Sequence, residues 1–296
     1  MVYDALIIGG SYAGLAAALP LARARRKLLV VDAGQRRNRF AEHSHGFLTQ
    51  DGSKAADIAA LARAQLMAYE TVEWLDAMVL GAQRNGQDFQ VDIEGGPARM
   101  AKRLVLALGV VDTLPEVPGL AQRWGQHVFH CPYCHGYELQ QGRIGVLATS
   151  ELSLHQALLL PDWGATTLLL NGSFEPDAQQ RAQLQSRGVT IEATAVREIT
   201  GHADVILEDG RVQAFDGLFI APRSHVASPV AAALGCEFSE GPMGAVIQTD
   251  AMKATTVPGV FACGDAARFG GSVALAVGDG TLAGVAAHRS LVFGGH

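Results

Sequence analysis

The sequence predicts an α/β protein made of two domains of similar order, the first of them discontinuous. Along the 296 residues, short apolar runs bounded by glycine alternate with stretches of helical periodicity, which is the pattern of βαβ units. A strand–helix–strand unit followed by hairpin strands occurs at 5–108 and again from 143 onward, which indicates an internal repeat at domain scale. The segment from 224 to 296 is too short to form a domain, so we expect it to complete the first one.

The composition excludes several classes of protein. The chain is 49% hydrophobic and 18% charged, so it is not mostly disordered, and its net charge of −6 argues against nucleic acid as a partner. Four cysteines are too few for a disulfide scaffold. No apolar run is long enough to span a membrane, and the residues after Met1 do not resemble a secretory signal. We therefore expect a cytoplasmic protein.

The first repeat begins with a buried parallel strand and ends in a meander. Two glycine-containing dipeptides, Asn85-Gly86 and Gly95-Gly96, predict hairpin turns between its later strands. Pro20 falls within the first helix as a potential kink. The predicted elements are, in order, strand 5–8, helix 12–26, strand 28–31 ending at Asp32, helix 53–67 and the meander strands 78–83, 88–93 and 103–108.

The second repeat follows a proline-containing linker at 114–119. Its predicted elements are strand 143–149, helix 151–163, strand 166–170, helix 178–187, strand 189–192 and meander strands near 195–200, 204–208 and 211–221. The tail adds a strand at 259–262 and a helix near 272–291. The predicted domains are therefore residues 1–112 with 224–296, and residues 113–223.

A glycine-rich turn joins the first strand to the first helix. Gly9-Gly10-Ser11-Tyr12-Ala13-Gly14 matches G-x-G-x-x-G except at Ser11. In such a turn the first glycine makes the bend, the last lets helix and strand pack closely, and a pyrophosphate binds at the helix N-terminus. Asp32, with Ala33 beside it, ends the next strand, where an acidic residue holds a ribose hydroxyl. The alternative is a turn that glycine fills for steric reasons alone.

The sequence His130-Cys131-Pro132-Tyr133-Cys134-His135 is the clearest chemical signal. In a C-x-x-C pair one thiolate attacks a disulfide and the other resolves the mixed disulfide. His135 can serve as general acid–base because the histidine pKa lies near neutrality. A structural zinc site would need two more ligands; His130 and His135 are nearby, but there is no second cysteine pair, so we predict no metal. Cys-Pro-Tyr-Cys also resembles glutaredoxins, but there the motif follows an N-terminal strand.

Two further segments resemble the flavin disulfide reductases. The strand at 259–263 ends in Gly264-Asp265, and Gly109 follows Leu106-Ala107-Leu108. By that resemblance Gly109, Gly264 and Asp265 bind FAD. The helix after them would direct its N-terminus, at Ser272 and Val273, toward the flavin ring. We expect Cys263 to be a packed core residue.

The position of the C-x-x-C, shortly before the first strand of the second repeat, resembles the low-molecular-weight thioredoxin reductases over essentially the whole chain. That resemblance implies two Rossmann-like three-layer β/β/α domains, with FAD bound by the discontinuous one and the dithiol carried by the central NAD(P)H-binding-like domain. It also implies a homodimer, with Cys134 next to the flavin and Cys131 facing the substrate. His135 stands where the family usually has an aspartate as proton donor, and we transfer that role to it.

The NADPH site of that family is eroded here. The glycine-rich turn is replaced by Ala148-Thr149-Ser150-Glu151, and Asn171-Gly172-Ser173 stands where basic residues would hold a 2′-phosphate. Glu151 would repel a pyrophosphate. The alternative is a diverged site that still binds NAD(P)H weakly.

The segment 36–47 also differs from that family's sequence. Its position implies contacts with the flavin cofactor, for which we select Arg39, His45 and Gly46. A solvated loop is the other interpretation.

We therefore expect an FAD-dependent thiol–disulfide oxidoreductase that passes electrons between a dithiol or disulfide substrate, Cys131–Cys134 and FAD. With NADPH doubtful, it would be a dithiol oxidase using dioxygen or a reductase fed by another donor. The alternatives are an NAD(P)H-dependent thioredoxin or disulfide reductase and a non-catalytic redox-sensing flavoprotein. The sequence leaves open whether the substrate is a thioredoxin-like protein or a small molecule.

Overall fold

The structure is a computed structural model that describes residues 1–294, and the chain divides into two compact units. The first unit comprises Met1–Arg39, Gly46–Val111 and the chain from Ser224 onward. The second comprises Phe40–His45 and Asp112–Arg223.

The N-terminal part of the chain holds two helices and eleven strands. They are β1 (Val2–Tyr3), β2 (Ala5–Ile8), α1 (Tyr12–Arg23), β3 (Leu28–Asp32), β4 (His43–Ser44), β5 (Ser53–Lys54), α2 (Ala55–Met67), β6 (Val72–Asp76), β7 (Val79–Asn85), β8 (Asp88–Ile93), β9 (Arg99–Ala101), β10 (Leu104–Leu106) and β11 (Val110–Thr113).

The second unit and the C-terminal segment follow in the same alternating manner. Their elements are β12 (Val128–Phe129), α3 (Pro132–His135), β13 (Gln141–Leu147), α4 (Ser153–Leu159), β14 (Gly164–Leu169), α5 (Ala178–Ser186), β15 (Thr190–Glu192), β16 (Val196–Thr200), β17 (Asp204–Leu207), β18 (Val212–Ala214), β19 (Gly217–Phe219), β20 (Arg223–Val226), α6 (Val230–Ala233), β21 (Phe238–Ser239), β22 (Val246–Ile247), β23 (Val260–Ala262) and α7 (Val273–Phe293).

The first unit has three layers. Its central sheet has the order β23-β10-β2-β3-β6, with parallel pairing throughout. Alternate residues such as Ile7 and Val30 pack against α1 and α7 on one face. Leu6 and Leu29 face the other way and pack with Phe89 of the second sheet, β1-β9-β8-β7. Because both faces of the central sheet are covered, its strands are continuous apolar runs.

The second unit repeats this arrangement. Its parallel sheet has the order β12-β19-β13-β14-β15, and its meander is β16-β17-β18. Ile144 and Val146 of β13 pack with α4 and α5, while Leu147 joins the core on the meander side. The predicted fold class, an α/β protein of two Rossmann-like three-layer domains, is confirmed.

Several predicted elements were wrong in detail. The predicted strand 103–108 is not the third meander strand: β9 takes that place, and β10 lies in the parallel sheet between β2 and β23. The predicted strand 211–221 is two strands, β18 in the meander and β19 in the parallel sheet. The sequence analysis missed β6. Helix α1 runs through Pro20 but ends at Arg23, because Arg25 adopts a left-handed φ of 57°.

In residues 1–294, none of the helices has the length and apolar character needed to cross a membrane.

Candidate active site

The glycine turn after β2 is so tightly packed that side chains cannot fit at two of its positions. Gly9 has φ of +100°, and a Cβ there would lie 2.2 Å from the carbonyl oxygen of Ala107. A Cβ on Gly14 would lie 1.8 Å from the carbonyl oxygen of Gly9. The turn therefore needs glycine for both conformation and space.

The acid that ends β3 is held against this turn. The backbone N–H of Gly10 donates to Oδ1 of Asp32 at 3.0 Å. Ser11 is the N-cap residue of α1, and within the described chain its side chain makes no capping hydrogen bond. The first-turn amides of α1 are thus not capped by Ser11, which suits a bound phosphate.

The C-terminal segment brings a second glycine and a second acid to the same edge of the sheet. Gly264 follows β23 with φ of +70°, and a Cβ there would lie 2.8 Å from Cβ of Ala13. The carboxylate of Asp265 pairs with the guanidinium of Arg37 at 2.9 Å. Ser272 caps α7 by accepting from the N–H of Leu275. Helix α7 begins at the next residue, Val273.

The other predicted cofactor residues are less closely tied to this edge. Gly109, φ +67°, lies just beyond β10 with open space around it, and Ala33 is exposed. The side chain of Arg39 donates to the carbonyl of Arg36 on the surface. Gly46, φ +74°, donates its N–H to Asp51 at 2.8 Å.

These positions fit the dinucleotide part of FAD. Gly9, Asp32, Gly109 and Gly264 all follow the carboxyl ends of parallel strands, where open α/β sheets bind nucleotides. Nearby, two buried polar atoms have no hydrogen-bond partner among residues 1–294: Nε of Arg36 and Oδ1 of Asn38. Buried polar groups normally find partners, so a bound polar group at this edge would account for them.

The two cysteines of the second unit form a disulfide. Cys131 precedes α3, Pro132 is the first residue of that helix, and Cys134 donates its N–H to the carbonyl of Cys131 at 3.2 Å. Both cysteines are half-buried, and Tyr133 between them is exposed. The pair is therefore an internal two-electron couple next to an accessible surface.

His135 lies directly after the disulfide and is neutral at physiological pH. Its ring stacks on Phe129 with centroids 4.4 Å apart. Burial first, and then the positive charge of His45, lower the pKa of His135 from 6.5 to about 4. A neutral imidazole can accept a proton from a thiol, but a pKa of about 4 makes His135 a weak base for this step.

His45, predicted to contact the cofactor, belongs to the Phe40–His45 segment of the second unit. Its Nδ1 lies 3.5 Å from Oε1 of Glu138. Its ion-pair partner Glu138 lies four residues after Cys134, and its charge acts on His135.

The turn after β13 occupies the position in the second unit that the Gly9 turn has in the first. Several of its polar groups already have hydrogen-bond partners within the second unit. The N–H of Thr149 donates to Oγ of Ser153 and its hydroxyl to the carbonyl of Ala221, while Leu152 donates to Oγ of Ser150. Oε1 of Glu151 accepts from Gln180 at 2.6 Å. An anion at this turn would meet the carboxylate of Glu151 and two amides that are already paired.

The end of β14 lacks the cations that would hold a 2′-phosphate. Asn171 accepts from the N–H of Val196 at 2.8 Å, and Ser173 donates to the carbonyl of Ala148 at 2.7 Å. Asn171 has a left-handed φ of 49° that shapes the turn. The side chains of Asn171 and Ser173 therefore hydrogen-bond to the backbone of neighbouring segments.

Sequence reasoning missed Arg37 and Glu138. Three arginines within four residues gave no basis for choosing Arg37 over Arg39, and no motif in the sequence marks Glu138. Cys263 is buried, which raises its pKa to about 12, and it is not a reactive thiol. Among residues 1–294 there is no cluster of three or more histidine, cysteine or acidic side chains that could hold a metal ion.

Comparison with known proteins places these sites in a family context. A family model described as pyridine nucleotide-disulphide oxidoreductase matches residues 3–280. Thioredoxin reductase sirT from Leptosphaeria maculans is 33% identical over 96% of this chain and 92% of its own. An oxidoreductase from Agrobacterium tumefaciens, solved by crystallography, shares 58% sequence identity with this chain. The structural match covers 99% of both chains and has a TM-score of 0.97. A thioredoxin reductase from Streptococcus pyogenes, 24% identical over 98% of each chain, shares the fold with a TM-score of 0.85.

Proposed function

The chain belongs to the pyridine nucleotide-disulphide oxidoreductase family as a thioredoxin reductase-like enzyme, and from this premise we propose that it oxidises dithiols with FAD and without NADPH. The observation that carries the proposal is the contrast between equivalent turns. The Gly9 turn requires glycine and is followed by a helix that Ser11 does not cap, whereas the Ala148–Ser153 turn is closed by hydrogen bonds and carries Glu151. The first unit keeps a nucleotide site that the second unit has lost.

The residues that would hold FAD are those at the carboxyl edge of the first unit's parallel sheet. Gly9, Gly10, Ser11, Ala13 and Gly14 would receive the diphosphate, with Asp32 on the ribose. When bound, FAD supplies a two-electron partner for the cysteine pair. Asp265 and Gly264 would contact its remaining chain from β23.

The chemistry at the disulfide needs a nucleophile and a proton acceptor. A substrate thiol attacks Sγ of Cys131, the Cys131–Cys134 bond breaks, and a mixed disulfide forms with Cys134 as thiolate. His135 takes the proton of the attacking thiol on its neutral ring. The second substrate thiol then displaces Cys131, giving the substrate disulfide and the reduced pair.

With dioxygen as final acceptor the reaction balances. The dithiol loses two electrons and two protons to form one disulfide, and dioxygen gains them to form hydrogen peroxide. A nicotinamide is then unnecessary. The opposite direction, disulfide reduction fed by another donor, uses the same cysteines and is separated from oxidation by the experiment below.

The test is anaerobic reduction of the FAD-loaded enzyme by NADPH, NADH and dithiothreitol offered separately. We expect dithiothreitol to bleach the visible flavin band and the two nicotinamides to leave it unchanged. Admitting air should restore the band as the dithiol is consumed, with one hydrogen peroxide formed for each dithiothreitol oxidised. Rapid, stoichiometric bleaching by NADPH would overturn the proposal in favour of the NAD(P)H-dependent reductase. Bleaching by dithiothreitol without reoxidation in air would favour a reductase with another donor.

We also propose that the enzyme is a homodimer. Helix α7 carries an exposed apolar stripe whose members recur on one helical face: Leu275, Leu282, Val285 and Val292. Such a stripe on a soluble domain is typical of an interface with another chain.

A further inference from the structure

The peptide that leads into the disulfide lies just beyond the end of a parallel ladder. Strands β12 and β19 pair up to Phe129 and Phe219, and the N–H of Ile220 donates to the carbonyl of Phe129 at 2.9 Å. The next carbonyl, that of His130, belongs to the peptide bond with Cys131 and lies past the last pair of the ladder. A carbonyl in this place needs a donor from outside the sheet if it is to be held.

Gln156 of α4 supplies that donor. Its side-chain Nε2 donates to the carbonyl of His130 at 2.7 Å and to the carbonyl of Ile220 at 3.1 Å. Gln156 is only 5% exposed, and its Oε1 has no hydrogen-bond partner among residues 1–294. Both N–H groups of the amide are thus used, while a buried acceptor is left unpaired. An apolar side chain would fill this space without an unpaired oxygen, so the two donated hydrogen bonds are what the amide adds.

Helix α4 is itself fixed to the turn before it. Oγ of Ser153, the first residue of α4, accepts from the N–H of Thr149 at 3.1 Å. The hydroxyl of Thr149 donates to the carbonyl of Ala221 at 2.8 Å. Since Gln156 binds the preceding carbonyl, that of Ile220, two consecutive carbonyls after β19 are held by side chains of α4 and its turn. We call Thr149, Ser153 and Gln156 the α4 brace.

We propose that the α4 brace positions the Cys131 half of the disulfide, with Gln156 as the positioning residue that holds the preceding peptide. The inference deepens the proposed dithiol oxidation, in which Cys131 carries the attacked sulfur, and rests on it for its functional meaning. Because the peptide before Cys131 is tied to α4 and to the end of β19, the thiols of the reduced pair stay close to the arrangement in which they form their bond. Groups held in a reactive arrangement form that bond more readily. The brace therefore favours the disulfide, the state that the next substrate dithiol attacks.

The test measures the equilibrium between the Cys131–Cys134 disulfide and its dithiol in the FAD-loaded enzyme. Wild type and variants are equilibrated without oxygen in mixtures of reduced and oxidised dithiothreitol. Each enzyme disulfide that forms gives its two electrons and two protons to one oxidised dithiothreitol, which becomes the dithiol. Acid then stops the exchange, and alkylation followed by mass spectrometry counts the free thiols at the two cysteines.

Gln156→Met keeps an unbranched side chain and removes both donors. It should shift the equilibrium toward the dithiol by about fivefold, the effect of one net hydrogen bond, which makes the potential of the pair roughly 20 mV less negative. Thr149→Val removes one donor and should shift the equilibrium the same way by about twofold. The control is Thr166→Val, because Thr166 is also buried in the second unit and its hydroxyl also donates to a carbonyl, that of Gly164. The control should keep the wild-type equilibrium.

A second readout separates local positioning from a general loss of stability. In the oxidised, FAD-loaded enzyme, amide hydrogen exchange of the peptide 129–136 should be faster in Gln156→Met than in the wild type. The strands of the first unit's central sheet should exchange at the wild-type rate. Thr166→Val, which loses a buried hydrogen bond of the same kind, should leave exchange in 129–136 unchanged.

The outcomes distinguish this inference from the proposed function. If dithiothreitol fails to bleach the flavin of the wild type, the proposed dithiol oxidation is wrong, while the thiol equilibrium still decides whether the brace positions the pair. If the wild type is bleached but Gln156→Met keeps its thiol equilibrium, only the brace is overturned. An equal shift in Thr166→Val would also overturn it, because the cause would then be lost stability. If Gln156→Met does not fold, Thr149→Val decides alone, because the two side chains have the same shape and Thr149 is only half-buried.

Discussion

The guanidinium of Arg37 lies 2.9 Å from the carboxylate of Asp265, so an ion pair joins the segment after β3 to the end of β23. Both side chains are about three-quarters buried, with 27% and 22% of their surfaces exposed. Through this pair, Arg37 places a positive charge at the edge of the sheet where the glycine turn and Asp32 lie. Arg37 is therefore suited both to hold Asp265 in place and to offset the charge of a diphosphate.

Replacing Arg37 with glutamine should weaken FAD binding by about tenfold or more, because a charged hydrogen bond contributes roughly 1.5–3 kcal/mol. The measurement is the dissociation constant for FAD added to the apoprotein, followed by quenching of flavin fluorescence. The matched control is Arg39→Gln, which removes the same charge two residues further along, at a side chain that donates to the carbonyl of Arg36. Equal affinities for the two variants would contradict a role for Arg37.

Gly9→Ala should abolish FAD binding and destabilise the protein. The new Cβ would lie 2.2 Å from the carbonyl oxygen of Ala107, and φ of +100° disfavours any side chain. Gly86→Ala is the control, because Gly86 also has positive φ but has open space around its Cβ position. The Gly86→Ala substitution should lower the free energy of unfolding by only about 1 kcal/mol, and the variant should still bind FAD. Urea unfolding and flavin content give the comparison; similar losses in both variants would show that close approach is not the cause.

Cys134→Ser should abolish reduction of the flavin by dithiothreitol while the protein keeps its FAD. The internal disulfide cannot form without Cys134, so electrons lose their path from substrate thiols. Cys236→Ser replaces a buried thiol that lies 3.7 Å from the hydroxyl of Thr255, and it should keep wild-type reduction. Reduction that survives in Cys134→Ser would mean that the disulfide is not the relay, as in a flavoprotein that only senses redox state.

A structural feature could be predicted from the sequence when a few consecutive residues determine it. Gly9 and the Cys131–Cys134 pair were identifiable because a positive φ and a C-x-x-C spacing are properties of a few consecutive residues. The place of β10 was not, because a short apolar run pairs as readily with a meander strand as with β2 and β23. His45 and Glu138 meet only in the folded chain, and neither residue has a neighbour in sequence that indicates the other.

The stability of the enzyme should fall at acidic pH in a manner that depends on His135. The folded pKa of His135 is about 4 and the unfolded value is 6.5, so the unfolded chain binds the proton first as pH falls. Folding free energy is thus lost between about pH 6.5 and pH 4, by up to ~3 kcal/mol at about 1.4 kcal/mol per unit. His135→Gln removes this dependence.

The measurement is urea unfolding of the oxidised, FAD-loaded wild type and His135→Gln at about pH 7 and about pH 4. The wild type should lose more free energy of unfolding than the variant. Equal losses would show that His135 does not resist protonation in the folded state.

Leu282→Lys should convert the protein from a dimer into a monomer. Leu282 is 42% exposed on α7, between Leu275 and Val285 on the same face, and a charge there would be desolvated in an interface. Leu80→Lys is the control, because Leu80 is 58% exposed on β7 and lies outside the stripe. Mass from light scattering during size-exclusion chromatography should halve only for Leu282→Lys. A wild type that is already monomeric, or a Leu282→Lys variant that stays dimeric, would show that the α7 stripe does not hold two copies together.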